Sequence, residues 1–441
     1  MIKAVKGTRD ILPPSSAVWN HVERVAREVF RAYNYGEIRT PIFEETQLFS
    51  RGVGEETDIV SKEMYTWEDR DGSSLTLRPE NTASVIRAYI EHRMDQQPGV
   101  TKLYYIGPMF RRERPQKGRY RQFYQIGAEA IGSDTPETDA EVIEMVAEIL
   151  TRSGLTDFKI LLNSVGCPNC RPQFNALLRE QLVAVKDRLC TDCQRRTETN
   201  PLRVLDCKVP ADQPIIDELP SIIGHLCTEC RDHFERVQIL LGDRNISYEL
   251  KPRMVRGLDY YMRTTFEVVH GSLGAQNSVL GGGRYDGLAQ ELGAKQPAPG
   301  IGFSIGEDRL VMTVEEASAA KIDRLDIYIA PLGAPALRHA AGLAHQFRRL
   351  GIRTELGPDT KLKRAIELAG KLGARRVVMI GDEEIVACQY TVRVMSRNQQ
   401  DATGVQGHFT VEQIIASVQA DAERHQAFTE QLQRDNGDGP A

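Results

Sequence analysis

The sequence predicts an α+β core built around antiparallel strands, interrupted by a helical, cysteine-rich insert and followed by a smaller α/β domain. Three observations carry this expectation. Short β-rich runs, one pair of them spaced as a hairpin, lie between residues 74 and 131. Three C-x-x-C pairs are confined to residues 167–230. From Leu325 onward, strand and helix patterns alternate. At 441 residues the chain has room for two or three domains. A hydrophobic fraction of 41% with 27% charged residues excludes a disordered, collagen-like or small disulfide-stapled chain. No apolar run reaches the roughly 18 residues of a membrane span. Met1 to Pro14 carries Lys3, Lys6, Arg9 and Asp10 in place of a leader's apolar segment, so the cytoplasm is the expected location. A net charge of −5 argues against a general nucleic-acid coat protein and says nothing of local basic patches.

Along the chain, Val18, Val22, Val25, Val29 and Phe30 recur at helical spacing behind a Ser15/Ser16 cap. An extended stretch from Glu37 to Phe43 is broken by Pro41. Strands are expected at Ser74–Leu77, Lys102–Phe110 and Gln122–Ile131, with helices near Asn81–His92 and Thr138–Arg152. The insert occupies about 165–235 and is mostly helical by pattern, as over Phe174–Leu189. Strand signals return at Thr264–Val269, Asn277–Leu280 and Gly302–Ile305. Gly281 to Asp286 reads as a glycine-rich turn, and Glu307 starts a helix. In the last domain, strands at Asp326–Ala330, Ile352–Leu356, Arg376–Ile380 and Tyr390–Met395 alternate with helices at Ala334–Leu350 and Leu362–Leu372, which suggests a largely parallel sheet. The polar end, 423–441, is expected to fray. The domains are therefore 1–324 with the insert, 325–422, and the tail.

Six of the eight cysteines, Cys167, Cys170, Cys190, Cys193, Cys227 and Cys230, form the C-x-x-C pairs. Without a leader, paired thiols read as metal ligands or redox groups before disulfides, and two pairs could hold one tetrahedral structural zinc. A small subdomain of reduced cysteines without metal is the alternative. A P-loop is absent, and Gly300-Ile301-Gly302 with Gly306 misses the dinucleotide fingerprint by one residue, so a dinucleotide fold is rejected.

The strongest chemical signal is Thr101 to Tyr124. Lys102, Arg111, Arg112, Arg114, Lys117, Arg119 and Arg121 face one acid, Glu113, so seven cations less one acid leave +6 inside a −5 chain. Strand, basic loop and strand make a hairpin. Tyr104, Tyr105, Phe110, Tyr120, Phe123 and Tyr124 interleave with the cations, a mixture suited to stacking a base and neutralising phosphates; a solvated face is the alternative. On the second strand Phe123, Gln125, Gly127 and Glu129 share a face, which offers a plate, an amide, a gap and a carboxylate to a small amphoteric ligand or, again, to solvent.

In this order, FRRERPQKGRYRQFYQIG (110–127), RGLDYY (256–261), GGGRYDGL (281–288) and GFSIGEDRL (302–310) resemble the motifs of class II histidyl-tRNA synthetases. Each glycine motif alone is weak; the ordered set is specific, and it extends from Lys6 to about Ala420. The resemblance implies an α+β catalytic core with the antiparallel sheet of class II synthetases and a C-terminal α/β anticodon-binding domain. It implies ATP-dependent attachment of L-histidine to its tRNA through an adenylate, with Mg²⁺ bridging the outer phosphates. Arg111 and Arg256 would be catalytic at the α-phosphate. Glu113, Arg114, Arg119, Phe123 and Arg309 would complete ATP binding, Phe123 and Arg309 enclosing the adenine. Glu80, Asn81, Thr82 and Gln125 would stand at the ammonium end of histidine. Glu129, Tyr260, Tyr261 and Tyr285 would surround the imidazole. Arg39-Thr40-Pro41 resembles the motif of the dimer interface, so a homodimer is expected. One departure is Asn81, where the family's R-P-E-G-T has glycine. A regulatory, non-catalytic relative is the rival, disfavoured because such proteins lack the C-terminal domain. A ligase that ignores tRNA is disfavoured for the same reason.

Overall fold

In the structure, a computed structural model, residues 2–55, 57–273, 277–317, 325–359, 361–395 and 406–421 are described. The expected tail 423–441 lies outside them. The chain divides into two compact units, Met1–Lys321 and Ile322–Ala441.

The first unit is organised by an eight-stranded sheet: β1 (Gly36–Glu37), β2 (Thr101–Phe110), β3 (Gln122–Ile131), β4 (Phe158–Ser164), β5 (Tyr248–Leu250), β6 (Met262–His270), β7 (Ser278–Arg284) and β8 (Gly300–Gly306). Its order is β1-β2-β3-β8-β7-β6-β4-β5; only the outer pairs β1/β2 and β4/β5 are parallel. One face alternates apolar residues (Tyr104, Ile126, Ala128, Phe266, Val268, Ile301, Phe303) into a core beneath helices Ser15–Ala32, Pro136–Arg152, Thr228–Asp243 and Glu307–Ala317. Phe30 of the first helix stacks on Tyr104 at 4.5 Å. The Ser15/Ser16 cap is not formed: Ser15 is already helical, and its hydroxyl donates to Glu315. A small sheet of Phe43–Glu45, Ser74–Leu77 and Tyr65–Glu68 precedes the helix Thr82–Glu91.

Gly281–Arg284 is not a turn. It is the middle of the sheet, β7 between β6 and β8, where Gly281, Gly282 and Gly283 pair with Ser304, Phe303 and Gly302. A run of glycines reads as a turn because it lacks β propensity, but glycine also marks strands that other groups must approach closely. The insert forms its own small core, including Phe174, Leu178, Leu182, Val204 and Ile216. Its last helix runs past residue 235 to Asp243 and buries Phe234, Val237 and Leu241 in the main core.

The second unit holds β9 (Ile327–Pro331), β10 (Thr354–Leu356), β11 (Arg376–Ile380), β12 (Tyr390–Val394) and β13 (Gln406–Phe409) in the order β10-β9-β11-β12-β13. The pairs around β9 are parallel, but β11/β12 and β12/β13 are antiparallel, so the sheet is mixed rather than largely parallel. Between Ile380 and Tyr390 only the short helix Asp382–Ala387 fits, too little chain for a parallel crossover. No helix among the described residues is long and apolar enough to cross a membrane.

A buried ion cluster fastens the main sheet to its covering helices. Arg284 at the end of β7 meets Asp139 at 2.7 Å and Asp286 at 2.8 Å, and His233 meets the other Asp139 oxygen at 2.8 Å. Arg284 and Asp139 are fully buried, so removing one partner strands a charge in low dielectric. Arg284→Met is expected to lower the unfolding free energy by about 3–5 kcal/mol, read from urea denaturation of the whole chain; a change below about 1 kcal/mol, the range of exposed ion pairs, would contradict the role of the cluster.

Candidate active site

The face of the sheet opposite the helical core is hollowed by missing side chains. Pairing aligns Tyr105, Gly127, Ser304, Gly281 and Glu267 in one row across five strands, with Leu103, Glu129, Gly302, Gly283 and Thr265 in the next row on the same face. A Cβ on Gly127 would overlap the Tyr105 ring, one on Gly281 the Arg256 guanidinium, and one on Gly302 the Glu129 carboxylate. The glycines therefore seat three functional groups flat against the sheet. Above them opens a cleft of about 620 Å³.

Its walls collect residues from distant segments. Arg111, at the end of β2, donates from Nε to the Pro79 carbonyl (2.9 Å), and its guanidinium stands 5.1 Å from the Phe123 ring centre. Glu113 lies 3.8 Å from Arg111 and accepts from Arg119 at 3.0 Å. Arg256 donates to Glu267 at 2.9 Å, and Arg203 supports it by donating to its carbonyl at 2.8 Å. Arg309 donates to the carbonyls of Ser278 (2.6 Å) and Gly118 (3.4 Å), while the neighbouring Asp308 pairs with Arg9. Glu80, Thr82, Gln125, Tyr260 and Tyr261 also face the cleft.

Four expected residues sit elsewhere. Glu129 and Tyr285 lie buried behind the wall: Tyr285 donates to one Glu129 oxygen at 2.6 Å and Thr82 to the other at 2.8 Å. Tyr285 thus holds the carboxylate rather than lining the opening. Asn81 accepts from Thr40 at 2.6 Å and from Arg78 at 3.4 Å, so it braces the loop outside the wall. Its φ of −119° and ψ of −12° suit any residue, so no glycine is needed there. Arg114 is exposed on the hairpin loop, outside the cleft wall. The +6 segment divides in the same way. Only Arg111 and Arg119 among its cations reach the cleft, while Lys102 pairs with Glu141 and Arg112 sits by Tyr65. Of its aromatics, Tyr104 packs on Phe30 and Tyr124 on Trp19 in the core.

Tyr105, expected among the aromatics of the basic hairpin, lines the cleft; Ser304, Glu267, Asp206 and Lys208 line it too and carry no such signal in the sequence. The gap expected at Gly127 is filled by Tyr105, a placement visible only once hairpin register puts the two opposite each other. Buried Tyr105 Oη, Gln125 Oε1, Ser304 Oγ and Arg256 Nε have no hydrogen-bond partner among the described residues. Clustered unpaired polar atoms in one cavity mark a place where a polar ligand completes the bonding. Glu80 receives the amides of Thr82 (2.7 Å) and Ala83 (3.0 Å) at the start of the helix Thr82–Glu91 and keeps further acceptor capacity. Burial pushes both carboxyls up: Glu80 above its ordinary range, and Glu129 to about 8, where hydrogen bonds from Tyr285 and Thr82 only partly offset the desolvation.

In the insert, Cys167, Cys170, Cys227 and Cys230 converge, with Sγ–Sγ distances of 3.8, 3.8 and 3.9 Å for three of the pairs. These match the roughly 3.8 Å edge of a tetrahedron with Zn–S bonds of about 2.3 Å, and are far beyond the roughly 2.05 Å of a disulfide. Cys190 and Cys193 do not join them; they meet Cys207 and Asp212 instead.

The family model described as Histidyl-tRNA synthetase matches residues 7–310, and the one described as Anticodon binding domain matches residues 326–421. The chain is 70% identical over 420 residues to a Histidine--tRNA ligase of Solibacter usitatus, covering 95% of this chain and 99% of the relative. It is 57% identical to the Histidine--tRNA ligase of Koribacter versatilis, covering 91% and 94%. The solved apo histidyl-tRNA synthetase of S. aureus superposes with a TM-score of 0.75 at 37% identity, covering 95% of this chain and 99% of that one.

The raised Glu129 pKa makes stability depend on pH in a definite direction. Between about 4.5 and about 8 the folded chain keeps a proton that the unfolded chain has released, so this group's contribution to stability falls as pH rises through that window. Glu129→Gln removes the dependence. Relative to the wild type the variant is expected to gain, by at most about 1.4 kcal/mol per pH unit, between pH 5 and pH 8 in urea denaturation; parallel curves for the two proteins would contradict the assignment.

Proposed function

The chain belongs to the histidyl-tRNA synthetase family, and from that premise we propose how its cleft activates histidine. The activity is ATP-dependent attachment of L-histidine to its tRNA through a histidyl-adenylate, with release of pyrophosphate and AMP. Residues 1–324 form the catalytic part with its insert, and 325–422 the anticodon-binding domain.

In the first step the carboxylate of histidine attacks the α-phosphorus in line and pyrophosphate leaves. Nucleophile and target are both anionic, so positioned cations supply most of the acceleration. Arg111 and Arg256 take the α-phosphate. Both are already held, one by the Pro79 carbonyl and the other by Glu267, so neither has to be ordered at the moment of reaction. Phe123 and Arg309 enclose the adenine, with Glu113 beside it and Arg119 on the outer phosphates. The carboxylates of Glu113 and Glu267 in the same wall suit a hard divalent cation, and Mg²⁺ when bound neutralises the outer phosphates. The exposed Arg114 can reach a ligand only from outside.

At the amino-acid end, Glu80, Thr82 and Gln125 receive the ammonium group. The imidazole goes to the deep end, against the Tyr105 and Tyr261 hydroxyls and the rings of Tyr260 and Tyr261 (4.7 Å apart), with the buried Glu129 directly behind them. An imidazole N–H there favours the ionised form of Glu129, so histidine binding at neutral pH releases the proton that burial retains. An analogue without ring nitrogens leaves these buried groups unpaired, which is how the pocket discriminates. The observation that carries this reading is the meeting of the cation set and the amino-acid set in a single cleft.

Three further assignments belong to the same proposal. Cys167, Cys170, Cys227 and Cys230 hold a structural zinc, supported by their tetrahedral spacing. The enzyme is a homodimer, supported by exposed Ile42, Phe43 and Trp67 beside Pro41. It works in the cytoplasm, where its tRNA is.

Histidine-dependent ATP–pyrophosphate exchange followed by tRNA charging tests the function; absence of exchange with histidine would overturn it. Arg256→Ala is expected to cut the exchange rate by about 10²–10³-fold while calorimetry still detects histidine binding. Equal loss of binding and turnover would contradict a role at the phosphate.

A further inference from the structure

Cys207 and Asp212 lie outside the C-x-x-C pairs, yet both complete a second cluster with Cys190 and Cys193 in which all four ligand atoms lie within 4.8 Å of one another. Cys190 and Cys207 sulfurs stand 3.9 Å apart, and Cys207 Sγ lies 3.3 Å from Asp212 Oδ2. Tetrahedral zinc with bonds of about 2.3 Å to sulfur and about 2.0 Å to oxygen has edges of about 3.8 and 3.5 Å. We propose that Cys190, Cys193, Cys207 and Asp212 form a second metal site, distinct from the four-cysteine site, that takes a thiophilic divalent cation such as zinc.

The local backbone repeats the first site in both halves. Cys190 and Cys227 each stand just before a helix, Thr191–Thr199 and Thr228–Asp243, with φ, ψ of −63°, 158° and −65°, 163°; the second cysteine of each pair follows in the first turn. In the other half, the amide two residues on points at the sulfur in each site: Asn169 to Cys167 and Val209 to Cys207, both at 3.4 Å. Only the fourth ligand differs, Asp212 standing where the first site has Cys170. Asp212 is 1% exposed in an apolar core. Its oxygens accept the Cys190 amide at 3.1 and 3.2 Å, and no cationic side chain is paired with it among the described residues. Its only donors among them are the Cys190 amide and the surrounding thiols, so once those thiols ionise a metal is the group that can take the carboxylate's charge. Three thiolates and one carboxylate favour zinc over magnesium or calcium.

The site also has a mechanical consequence. Cys207 lies between Asp206 and Lys208, which are in the wall of the catalytic cleft and pair with each other at 2.9 Å. Four residues earlier, Arg203 donates to the Arg256 carbonyl. A metal at Cys207 therefore fixes the segment that supports Arg256. This coupling rests on the role proposed for Arg256; the metal content does not.

The test uses the full chain, reconstituted with zinc under reducing conditions and desalted. Elemental analysis is expected to find two zinc ions per chain; Cys193→Ser and Asp212→Ala each lose one and keep the other, and Cys170→Ser loses its counterpart. One zinc in the wild type, or wild-type content in Cys193→Ser, would overturn the proposal. Should the variants fail to fold, cobalt titration of the wild type decides: thiolate-to-cobalt absorbance rising to two equivalents supports the second site, and saturation at one refutes it. Cys193→Ser is further expected to lower kcat for exchange more than it raises the KM for histidine, and unchanged kinetics would overturn the coupling to Arg256.

Discussion

The proposed active site depends on side chains that are missing from one face of the central sheet. Gly127, Gly281 and Gly302 stand on three neighbouring strands, and the space above each is taken by Tyr105, Arg256 and Glu129 respectively. Glycine inside a strand is destabilising by roughly 0.5–1 kcal/mol relative to alanine. The opposite face compensates with a continuous apolar core under four helices. One sheet thus separates two tasks: packing on one side, and a recess deep enough to hold charged groups away from bulk water on the other.

The charges in that recess are organised in pairs. Arg256 leans on Glu267 and Arg119 on Glu113, so the cations proposed to meet phosphate are aligned by acids before a ligand arrives. This resolves how a chain of net charge −5 binds a polyanion. The excess of cations near the hairpin matters less than which of them turn inward. Deeper in, the logic reverses: Glu129 and Glu80 are buried acids with no salt bridge among the described residues, and on the proposed reading the bound amino acid supplies the N–H donors they lack.

Much of this was legible in the sequence because it is local. The hairpin strands, the amphipathic first helix and the ordered motifs depend on spacing along the chain, and β3 falls on Gln122–Ile131 as periodicity indicates. What escaped depends on register and on long-range packing. Gly281–Gly283 resembles a turn until β6 and β8 flank it. Tyr104 and Tyr105 look equivalent, yet alternation sends one to the core and the other over Gly127. Cys207 and Asp212 carry no pair spacing, and only the folded insert brings them to Cys190 and Cys193.

The claim that absent side chains create the site is tested most directly at Gly281. Its Cβ would collide with the Arg256 guanidinium, the far end of a flexible side chain, so Gly281→Ala displaces that group without removing it. The measurement is histidine-dependent ATP–pyrophosphate exchange alongside thermal unfolding. Exchange is expected to fall by the order of 10²-fold, comparable to losing a positioned donor, with the unfolding transition nearly unchanged. Wild-type exchange in Gly281→Ala would contradict it.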